Sequence, residues 1–280
     1  MRILITGGAG QLGIALQAEL TQHELLAIDL PEVDITDKNA IFTAVSTFKP
    51  HAIIHCAAYT DVDGCAKNPE LAYKVNGLGT QNVALACQKF GAAMVHISTN
   101  EVFAGDNPAG YEEWMARSPV NAYGRSKAAA EVHVQNILNR YYIVRFAWLY
   151  SAQGRNFIHA ILQRARETGQ LRVVADEIGN PTYVQDLAKA LGQLIETEQY
   201  GIYHLVNSGS CSRWAFANEI LRLAGLTEVV NTPILGKEFK RPSAPPPYGA
   251  LHNIAGKAIG IECRPWQSAL ADYLRFTIDD

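Results

Sequence analysis

The chain has 280 residues, 24 of them Lys or Arg and 27 Asp or Glu, so its formal net charge is −3 at pH 7. With 48% hydrophobic and 18% charged residues, it has the composition of a globular protein with one large domain or two smaller ones. This composition excludes a chain that is disordered throughout, and the charge gives no reason to expect a nucleic-acid or membrane partner.

Targeting signals and cysteine spacing point to one compartment. The apolar run at the N-terminus is too short for a signal peptide, and no window of about 18 apolar residues predicts a membrane span. The five cysteines are odd in number and show no CxxC spacing, which is typical of reduced thiols and not of a disulfide framework or a zinc site. We therefore expect a cytoplasmic protein, and no carboxylate cluster predicts a metal site.

Short apolar strands alternate with amphipathic helices in the first half of the chain. The predicted strands are Arg2–Thr6, Leu25–Asp29, Ala52–Cys56, Ala93–Ser98 and Tyr142–Ala147. The predicted helices are Gln11–Leu20, Lys38–Phe48, Leu71–Phe90 and Ala122–Asn139, with Thr36 and Asp37 as caps of the second and Pro69 in the first turn of the third. This alternation predicts βαβ units and one parallel sheet, as in a Rossmann-type, doubly wound α/β fold.

The second half of the chain is less regular. Its predicted strands are Leu171–Val174 and Ile202–Val206, and its predicted helices are Val184–Thr197, Ser212–Ala224 and Pro265–Phe276. The segment Lys240–Tyr248 holds four of the twelve prolines, which excludes regular helix and central strand. We interpret it as an ordered surface or active-site loop, and a mobile flap is the alternative.

A glycine-rich loop joins the first predicted strand to the first predicted helix. Gly7-Gly8-Ala9-Gly10-Gln11-Leu12-Gly13 satisfies the GxGxxG and GxxGxxG spacings together. Glycines there allow a tight turn, bring backbone N–H groups against a pyrophosphate and let the helix pack closely on the sheet. Asp29 ends the next strand, where a carboxylate can bind both ribose hydroxyls of an adenosine. The pattern predicts dinucleotide binding, and a purely structural turn is the alternative.

The residues around Asp29 bear on the choice of cofactor. Its carboxylate repels a 2′-phosphate, and Leu30-Pro31 supplies no arginine to receive one, so we expect NADH first. NADPH is the second choice, with Arg2 and Lys38 as the nearby cations. Asp34 and Ile35 fit a contact with the adenine, and a solvated turn is the alternative for Asp34.

A Tyr-x-x-x-Lys motif opens the fourth predicted helix. The spacing places Tyr123 and Lys127 on one helical face, where an ammonium group is expected to lower the phenol pKa. Such a tyrosine can deliver a proton to a carbonyl oxygen, and Thr99 at the end of the fourth strand can hydrogen bond to the same oxygen. We predict Thr99, Tyr123 and Lys127 as catalytic residues. The alternatives are a surface Tyr/Lys pair and a threonine that simply ends its strand.

Together these motifs resemble the dTDP-4-dehydrorhamnose reductase family of the extended short-chain dehydrogenase/reductase superfamily. The resemblance runs from residue 1 to about residue 270 and rests on the order and spacing of many stretches. The matching positions are Gly7, Gly10, Gly13, Asp29, Cys56–Asp63, Pro69–Glu70, Val75–Asn76, Ser98–Thr99, Val102–Phe103, Pro119–Gly124, Lys127, Arg145–Tyr150 and Gly179–Thr182.

The resemblance implies an NAD(P)H-dependent reduction of the 4-keto group of a dTDP-4-dehydro-6-deoxyhexose, above all dTDP-4-dehydro-L-rhamnose to dTDP-L-rhamnose. It implies that Tyr123 donates the proton, that Lys127 also holds the nicotinamide ribose, and that Thr99 and Asn100 contact the sugar beside a wall formed by Trp148. The implied cofactor-binding residues are Gly7, Gly10, Gln11, Leu12, Gly13, Asp29, Asp34, Ile35, Ala57, Ala58, Tyr59, Tyr123 and Lys127. From composition alone, a buried core aromatic is the simpler interpretation of Trp148.

The resemblance also implies two lobes and a small partner. Residues 1–150 would bind the cofactor, with part of 183–206 returning to that domain, and residues 151–280 would form a smaller, mixed substrate-binding lobe. The expected partner is a nucleotide sugar, and the expected assembly is a monomer or a homodimer.

Two stretches depart from the family pattern. The pattern has an aspartate and an aromatic residue where this chain has Asn100 and Glu101. It also has an Arg-Pro pair where this chain has Pro245-Pro246, and that arginine can grip the substrate diphosphate. The candidates to replace it are Arg155, Arg213 and Arg241.

Two other functions remain open at this stage. A 4-epimerase or 4,6-dehydratase would recycle a bound NAD⁺, but a dehydratase typically has Asp-Glu after the threonine and this chain has Asn100-Glu101. A non-catalytic nucleotide-binding regulatory subunit would keep the fold without the reaction.

Overall fold

The computed structural model describes residues 1–154 and 156–278, and a parallel sheet of six strands lies at its centre. The described strands are β1 (Arg2–Thr6), β2 (Glu24–Ile28), β3 (Ala52–His55), β4 (Ala93–Thr99), β5 (Tyr141–Phe146), β6 (Leu149–Tyr150), β7 (Gln170–Val174), β8 (Ile178–Gly179), β9 (Thr182–Tyr183), β10 (Gly201–His204), β11 (Asn207–Ser208), β12 (Cys211–Ser212), β13 (Val230–Ile234) and β14 (Cys263–Pro265). The described α-helices are α1 (Gln11–Glu19), α2 (Lys38–Phe48), α3 (Val62–Lys67), α4 (Pro69–Ala72), α5 (Thr80–Phe90), α6 (Ala122–Ile137), α7 (Phe157–Thr168), α8 (Val184–Leu194), α9 (Arg213–Leu223), α10 (Ala255–Ala258) and α11 (Trp266–Ile278).

The strand order in the large sheet is β10-β5-β4-β3-β1-β2, and every neighbouring pair is parallel. The chain runs from β1 to β2 on one side and then crosses to β3 on the other, so the order reverses beside β1. In open α/β sheets, ligands bind outside the carboxyl ends of the strands at such a reversal. The predicted Rossmann-type doubly wound fold is confirmed.

Apolar side chains cover both faces of this sheet. One buried cluster joins Ile3 and Ile5 of β1 to helices α1, α7, α8, α9 and α11. A second joins Leu4 of β1 to α2 and α5 on the opposite face. Since neighbouring β1 side chains pack into opposite clusters, the sequence of the strand is one continuous apolar run, which is typical of a strand buried on both sides.

The predicted helix Leu71–Phe90 is wrong in its start and its regularity. It begins at Pro69, and a π-helical turn over Tyr73–Gly79 interrupts it. Asn76 in that turn accepts a hydrogen bond from Tyr59 N–H at 2.7 Å and donates to Ser126 Oγ at 2.9 Å. These tertiary hydrogen bonds stabilise the wider π-helical turn, which the local sequence pattern does not predict.

Smaller ladders organise the second half of the chain. Strands β7 and β13 pair in parallel, whereas β8 and β12 pair antiparallel, so the lobe is mixed as predicted. The sequence did not predict β13, because its VNTPI run is largely exposed and contains a proline. Strand β10 pairs with β5 at the edge of the large sheet. The segment Lys240–Tyr248 is irregular, as its prolines predict.

A buried ion pair fastens α6 to the large sheet. Glu131 is fully buried, and its oxygens accept hydrogen bonds from Arg145 Nε at 2.9 Å, Arg117 at 2.9 Å and Ser98 Oγ at 2.5 Å. Burial alone would raise the pKa of Glu131, but the bonds from Arg145 and Ser98 and the arginine charges lower it overall. The carboxylate is therefore ionised at neutral pH.

We expect Glu131→Ala to lower the free energy of unfolding by about 3–5 kcal/mol, because it leaves the buried Arg145 guanidinium without its carboxylate partner. Urea unfolding followed by circular dichroism measures the change. The matched control is Glu262→Ala, which breaks an exposed pair with Lys257 at 3.4 Å and should cost less than about 1 kcal/mol. Equal costs for the two variants would show that the buried pair does not stabilise the fold.

Candidate active site

A cavity of about 960 Å³ lies at the carboxyl ends of the large sheet's strands. It extends from the glycine loop after β1 to α6 and to the residues that follow β5. All of the predicted site residues line it. They are Gly7, Gly10, Gln11, Leu12, Gly13, Asp29, Asp34, Ile35, Ala57, Ala58, Tyr59, Thr99, Asn100, Tyr123, Lys127 and Trp148.

The glycine loop has the shape that its spacing predicts. Gly7 has a φ of +70°, and a Cβ there would lie 2.6 Å from Ala57 N, so the turn requires glycine. A Cβ on Gly13 would lie 2.8 Å from Gly8 Cα, which shows how closely α1 packs on the loop. By contrast, a Cβ on Gly10 would have only Gly7 O, at 3.2 Å, within contact distance. Gly10 therefore leaves open space at the cavity wall.

The first turn of α1 is available to an anion. Gly10 is its N-cap and provides no side-chain hydrogen bond, so the first N–H groups have no capping partner. An uncapped helix N-terminus beside a glycine turn binds phosphate well. The loop thus fits the pyrophosphate of a dinucleotide.

The loop itself holds the Asp29 carboxylate in place. Asp29 accepts hydrogen bonds from Ala9 N–H at 2.9 Å and from Leu30 N–H at 2.8 Å. Asp34 is exposed and accepts from Thr36 N–H at 2.7 Å, so it forms a turn and also lines the cavity. Ile35 is buried against Gly79. This end of the cavity fits an adenosine.

At the other end, Tyr123 and Thr99 meet. Both are buried and line the cavity, and Thr99 acts to lower the pKa of the Tyr123 phenol. Burial, together with the charges of Glu101 and Cys65, raises the pKa of Tyr123. The expectation that Lys127 lowers this pKa is therefore wrong for the protein alone, because burial outweighs the attraction of the ammonium group for a phenolate.

Lys127 is buried one helical turn after Tyr123. Burial lowers its pKa to about 8, although Glu131 and Cys56 act in the opposite direction. Its ammonium group therefore stays charged at neutral pH but loses its proton in mildly alkaline solution. The predicted Tyr/Lys pair lies inside the cavity and not on the protein surface.

Trp148 forms part of the cavity wall and has an unusual backbone. Its φ is +46°, which is rare for a residue with a side chain. The indole lies directly over Gly179, where a Cβ would come within 2.5 Å of Trp148 Cε2. The Arg213 guanidinium also lies over the indole ring, with its Cζ 3.7 Å from the ring centroid. Trp148 is only partly buried, so it is not a simple core aromatic.

Asn100 lies at the boundary between this cavity and a second one of about 300 Å³. Its side-chain nitrogen donates to Gly249 O at 3.1 Å, and its oxygen accepts from the Thr99 hydroxyl at 3.3 Å. Next to it, Glu101 accepts from Asn121 at 2.6 Å. The amide of Asn100 thus ties the end of β4 to the proline-rich segment.

The proline-rich segment lies across the second cavity. Ser243 N–H donates to Asp63 at 3.1 Å, and Ala244 O accepts from Asn121 at 3.1 Å. Arg241 forms an ion pair with Glu177. Residues 240–249 therefore contact both halves of the chain.

Some residues of the cavities carry no sequence motif. Lys74 lines the larger cavity, Glu177 the smaller one, and Arg213 both. From the sequence, Arg213 is only one of three candidate arginines, and Arg155, another of them, lies outside the described residues. A charged residue at the start of a strand or helix is common, so only the fold shows that these side chains converge. Within residues 1–154 and 156–278 we find no cluster suited to a metal ion and no helix long and apolar enough to span a membrane.

Comparison with known proteins identifies similar chains. The family model described as the RmlD substrate binding domain matches residues 1–277. The chain is 36% identical to the spore coat polysaccharide biosynthesis protein SpsK of Bacillus subtilis, over 98% of this chain and 97% of that one. It is also 36% identical to the dTDP-4-dehydrorhamnose reductase of Mycobacterium tuberculosis, over 98% of this chain and 92% of that one.

A solved structure has the same fold at higher identity. The dTDP-4-dehydrorhamnose reductase of Bacillus anthracis, in complex with NADP, superposes with a TM-score of 0.95. It is 41% identical and covers 99% of both chains.

We expect Gly10→Ala to weaken cofactor binding and Gly13→Ala to lower the stability of the fold. Gly13→Ala forces α1 away from the loop and should lower the free energy of unfolding by about 1–3 kcal/mol. Gly10→Ala keeps an ordinary backbone, with a φ of −76°, and should unfold like the unaltered protein while losing at least about tenfold in NADH affinity.

Thermal unfolding and a fluorescence titration with NADH measure the two effects. A Gly10→Ala protein that binds NADH as tightly as the unaltered chain would show that the pyrophosphate does not approach this glycine.

Proposed function

The chain belongs to the dTDP-4-dehydrorhamnose reductase family, and we propose that it reduces the 4-keto group of a dTDP-4-dehydro-6-deoxyhexose with NAD(P)H. The substrate that best fits this proposal is dTDP-4-dehydro-L-rhamnose, and the product is dTDP-L-rhamnose. The observation that carries the proposal is that Thr99, Tyr123 and Lys127 line one end of the cavity whose other end is the glycine loop.

Tyr123 supplies the proton in this reaction. Its raised pKa keeps the phenol protonated at neutral pH, so it can donate a hydrogen bond and then the proton to the carbonyl oxygen. Thr99, which lines the same end of the cavity, can donate a hydrogen bond to the same oxygen. A bound reduced nicotinamide supplies the hydride.

Lys127 compensates the negative charge that develops on Tyr123 as the proton leaves. It lies four residues further along α6, on the same face, and it is charged at neutral pH. In a cavity with little water, a fixed positive charge stabilises an oxyanion more strongly than it does in bulk solvent.

The chain's own residues favour NADH over NADPH. The Asp29 carboxylate lies in the cavity and would repel a 2′-phosphate. Of the two nearby cations, Arg2 donates to Lys49 O at 2.8 Å and Lys38 lies over the Phe42 ring, and neither lines the cavity. Since the B. anthracis relative was solved with NADP, we propose that both cofactors are accepted and NADH is preferred.

The division of labour between the two lobes is part of the proposal. Residues 1–150 together with part of 183–206 bind the cofactor, and residues 151–280 largely bind the substrate. This assignment is supported by β10, which adds to the large sheet, and by Arg213 and Glu177, which reach the second cavity from the other lobe. In it, Thr99, Asn100 and Trp148 surround the sugar.

The five cysteines are unpaired, which suits a reducing compartment such as the cytoplasm. We propose that the enzyme acts there as a monomer or a homodimer on a small nucleotide sugar.

We expect absorbance at 340 nm to fall in proportion to substrate when the protein is mixed with NADH and dTDP-4-keto-6-deoxy-L-hexulose. The Tyr123→Phe variant should lower kcat by about 10²–10⁴-fold, because the proton donor is lost, with little change in the Kd for NADH. Repeating the assay with NADPH measures the cofactor preference.

The control is Tyr141→Phe, which removes a phenol hydroxyl at the opposite end of β5 and should keep full activity. An epimerase or dehydratase returns its hydride to the product, so the absence of net oxidation with continued conversion of the sugar would refute the reductase. Full turnover by Tyr123→Phe would refute the role of the tyrosine.

We expect kcat/KM to decrease as the pH rises through about 8. The charged form of Lys127 is present below its pKa of about 8 and is lost above it, and with it goes the charge that stabilises the Tyr123 phenolate. A pH profile between 6 and 10 measures this. The Lys127→Arg variant stays charged and should show a lower but flat profile, and a profile that still decreases would assign the titration to another group.

A further inference from the structure

The second cavity carries more charge than the proposed reduction uses. It opens beside Thr60, Asn100 and Trp148, which also line the larger cavity, so the two are continuous. Six charged side chains line the second cavity. Asp61 accepts a hydrogen bond from Gly64 N–H and Asp63 accepts one from Ser243 N–H. The other four are Glu101, Glu177, Arg213 and Arg241. A ligand with one end at Tyr123 would extend past these four side chains with its other end.

Three of these four side chains already have partners. Arg241 and Glu177 form an ion pair with each other, and Glu101 accepts its hydrogen bond from Asn121. Burial raises the pKa of Glu101 and of Glu177, and the two arginines act in the opposite direction. The Arg241 charge is therefore largely compensated within the protein.

Arg213 differs from the other three. Among the described residues, no oxygen accepts a hydrogen bond from its guanidinium, although its position at the start of α9 is fixed. The ring centroids of Trp148 and Phe157 lie 3.7 Å and 5.1 Å from its Cζ, so two aromatic rings lie against the group. Burial lowers its pKa only to about 10, and it stays charged at neutral pH. Arg213 lines both cavities.

A guanidinium that lies against two aromatic rings and has no hydrogen-bond acceptor among the described residues is prepared for an anion. Its planar donors match the oxygens of a phosphate in a two-bond geometry, and the stacking lowers the entropy that binding would cost. The substrate loop of this chain lacks the arginine of the family pattern, since Pro245 stands there and lines the same cavity.

We propose that Arg213, at the start of α9, binds the diphosphate of the nucleotide sugar. It would perform the role of the arginine that the family pattern has where this chain has Pro245. The identification of the ligand as a nucleotide sugar rests on the proposed function. In this arrangement the sugar lies toward Thr99 and Tyr123, the diphosphate lies at the junction against Arg213, and the nucleoside extends into the second cavity.

The experiment is a calorimetric titration with thymidine 5′-diphosphate and, separately, with thymidine, using the full chain and its Arg213→Gln variant. The variant should bind the diphosphate about 10- to 100-fold more weakly and bind thymidine with unchanged affinity. Its Kd for NADH should not change, and its melting temperature should fall only slightly, because among the described residues the guanidinium loses its stacking on the aromatic rings but no hydrogen bond.

Two further variants make the result specific. Arg222→Gln removes the same charge from the same helix, in an exposed pair with Glu219, and should leave diphosphate affinity within a factor of two. Adding Pro245→Arg to Arg213→Gln should recover at least part of the lost affinity, because it returns a guanidinium to the same cavity.

Three outcomes would overturn the proposal: no loss of diphosphate affinity in Arg213→Gln, an equal loss for thymidine, or a full loss in an Arg241→Gln/Glu177→Gln double variant with none in Arg213→Gln. Because these titrations need no turnover, they separate the two claims. A protein that binds the diphosphate through Arg213 but reduces no 4-keto sugar would keep the anion site and refute only the reductase.

Discussion

The burial of Glu131 is the constraint on which the geometry of the site depends. Helix α6 carries Tyr123, Lys127 and Glu131 at intervals of four residues, so the three share one face. A carboxylate can be buried on that face only if hydrogen-bond donors pair with its oxygens. Arg145 of β5 and Ser98 of β4 supply these donors. The ion pair therefore sets how deeply α6 seats on the sheet. The same seating places Tyr123 and Lys127 at the carboxyl ends of β3 and β4.

Burial also decides the proton chemistry of the site. Removing water penalises the charged form of every group, so it raises the pKa of the Tyr123 phenol and lowers that of the Lys127 ammonium. Sequence reasoning considered only the attraction between the two groups and therefore expected the opposite shift for the tyrosine. A reduction needs a proton donor, and a buried, neutral phenol is a better donor before the reaction than a phenolate would be.

The sequence was sufficient where local rules decide the structure. The apolar runs predicted the strands of the large sheet to within one or two residues, and the glycine spacing predicted the tight turn before α1. It was insufficient where distant residues decide. The π-helical turn depends on bonds between Asn76 and both Tyr59 and Ser126. Likewise, no local pattern shows that Arg213 reaches Trp148, because the two are 65 positions apart and are brought together only by the fold.

Asn100, where the chain departs from the family pattern, and Trp148, where it matches, are each fitted closely to a glycine. A Cβ on Gly249 would collide with the side-chain nitrogen of Asn100, which donates to the Gly249 carbonyl. A larger residue at 249 and this asparagine conformation thus exclude each other. Trp148 and Gly179 are matched in the same way, since the indole occupies the space that a side chain at 179 would need. Trp148 in turn provides the face on which Arg213 stacks. A single substitution at Asn100, Trp148 or Gly179 would therefore encounter packing built for the present residues, so these side chains form one interlocking set.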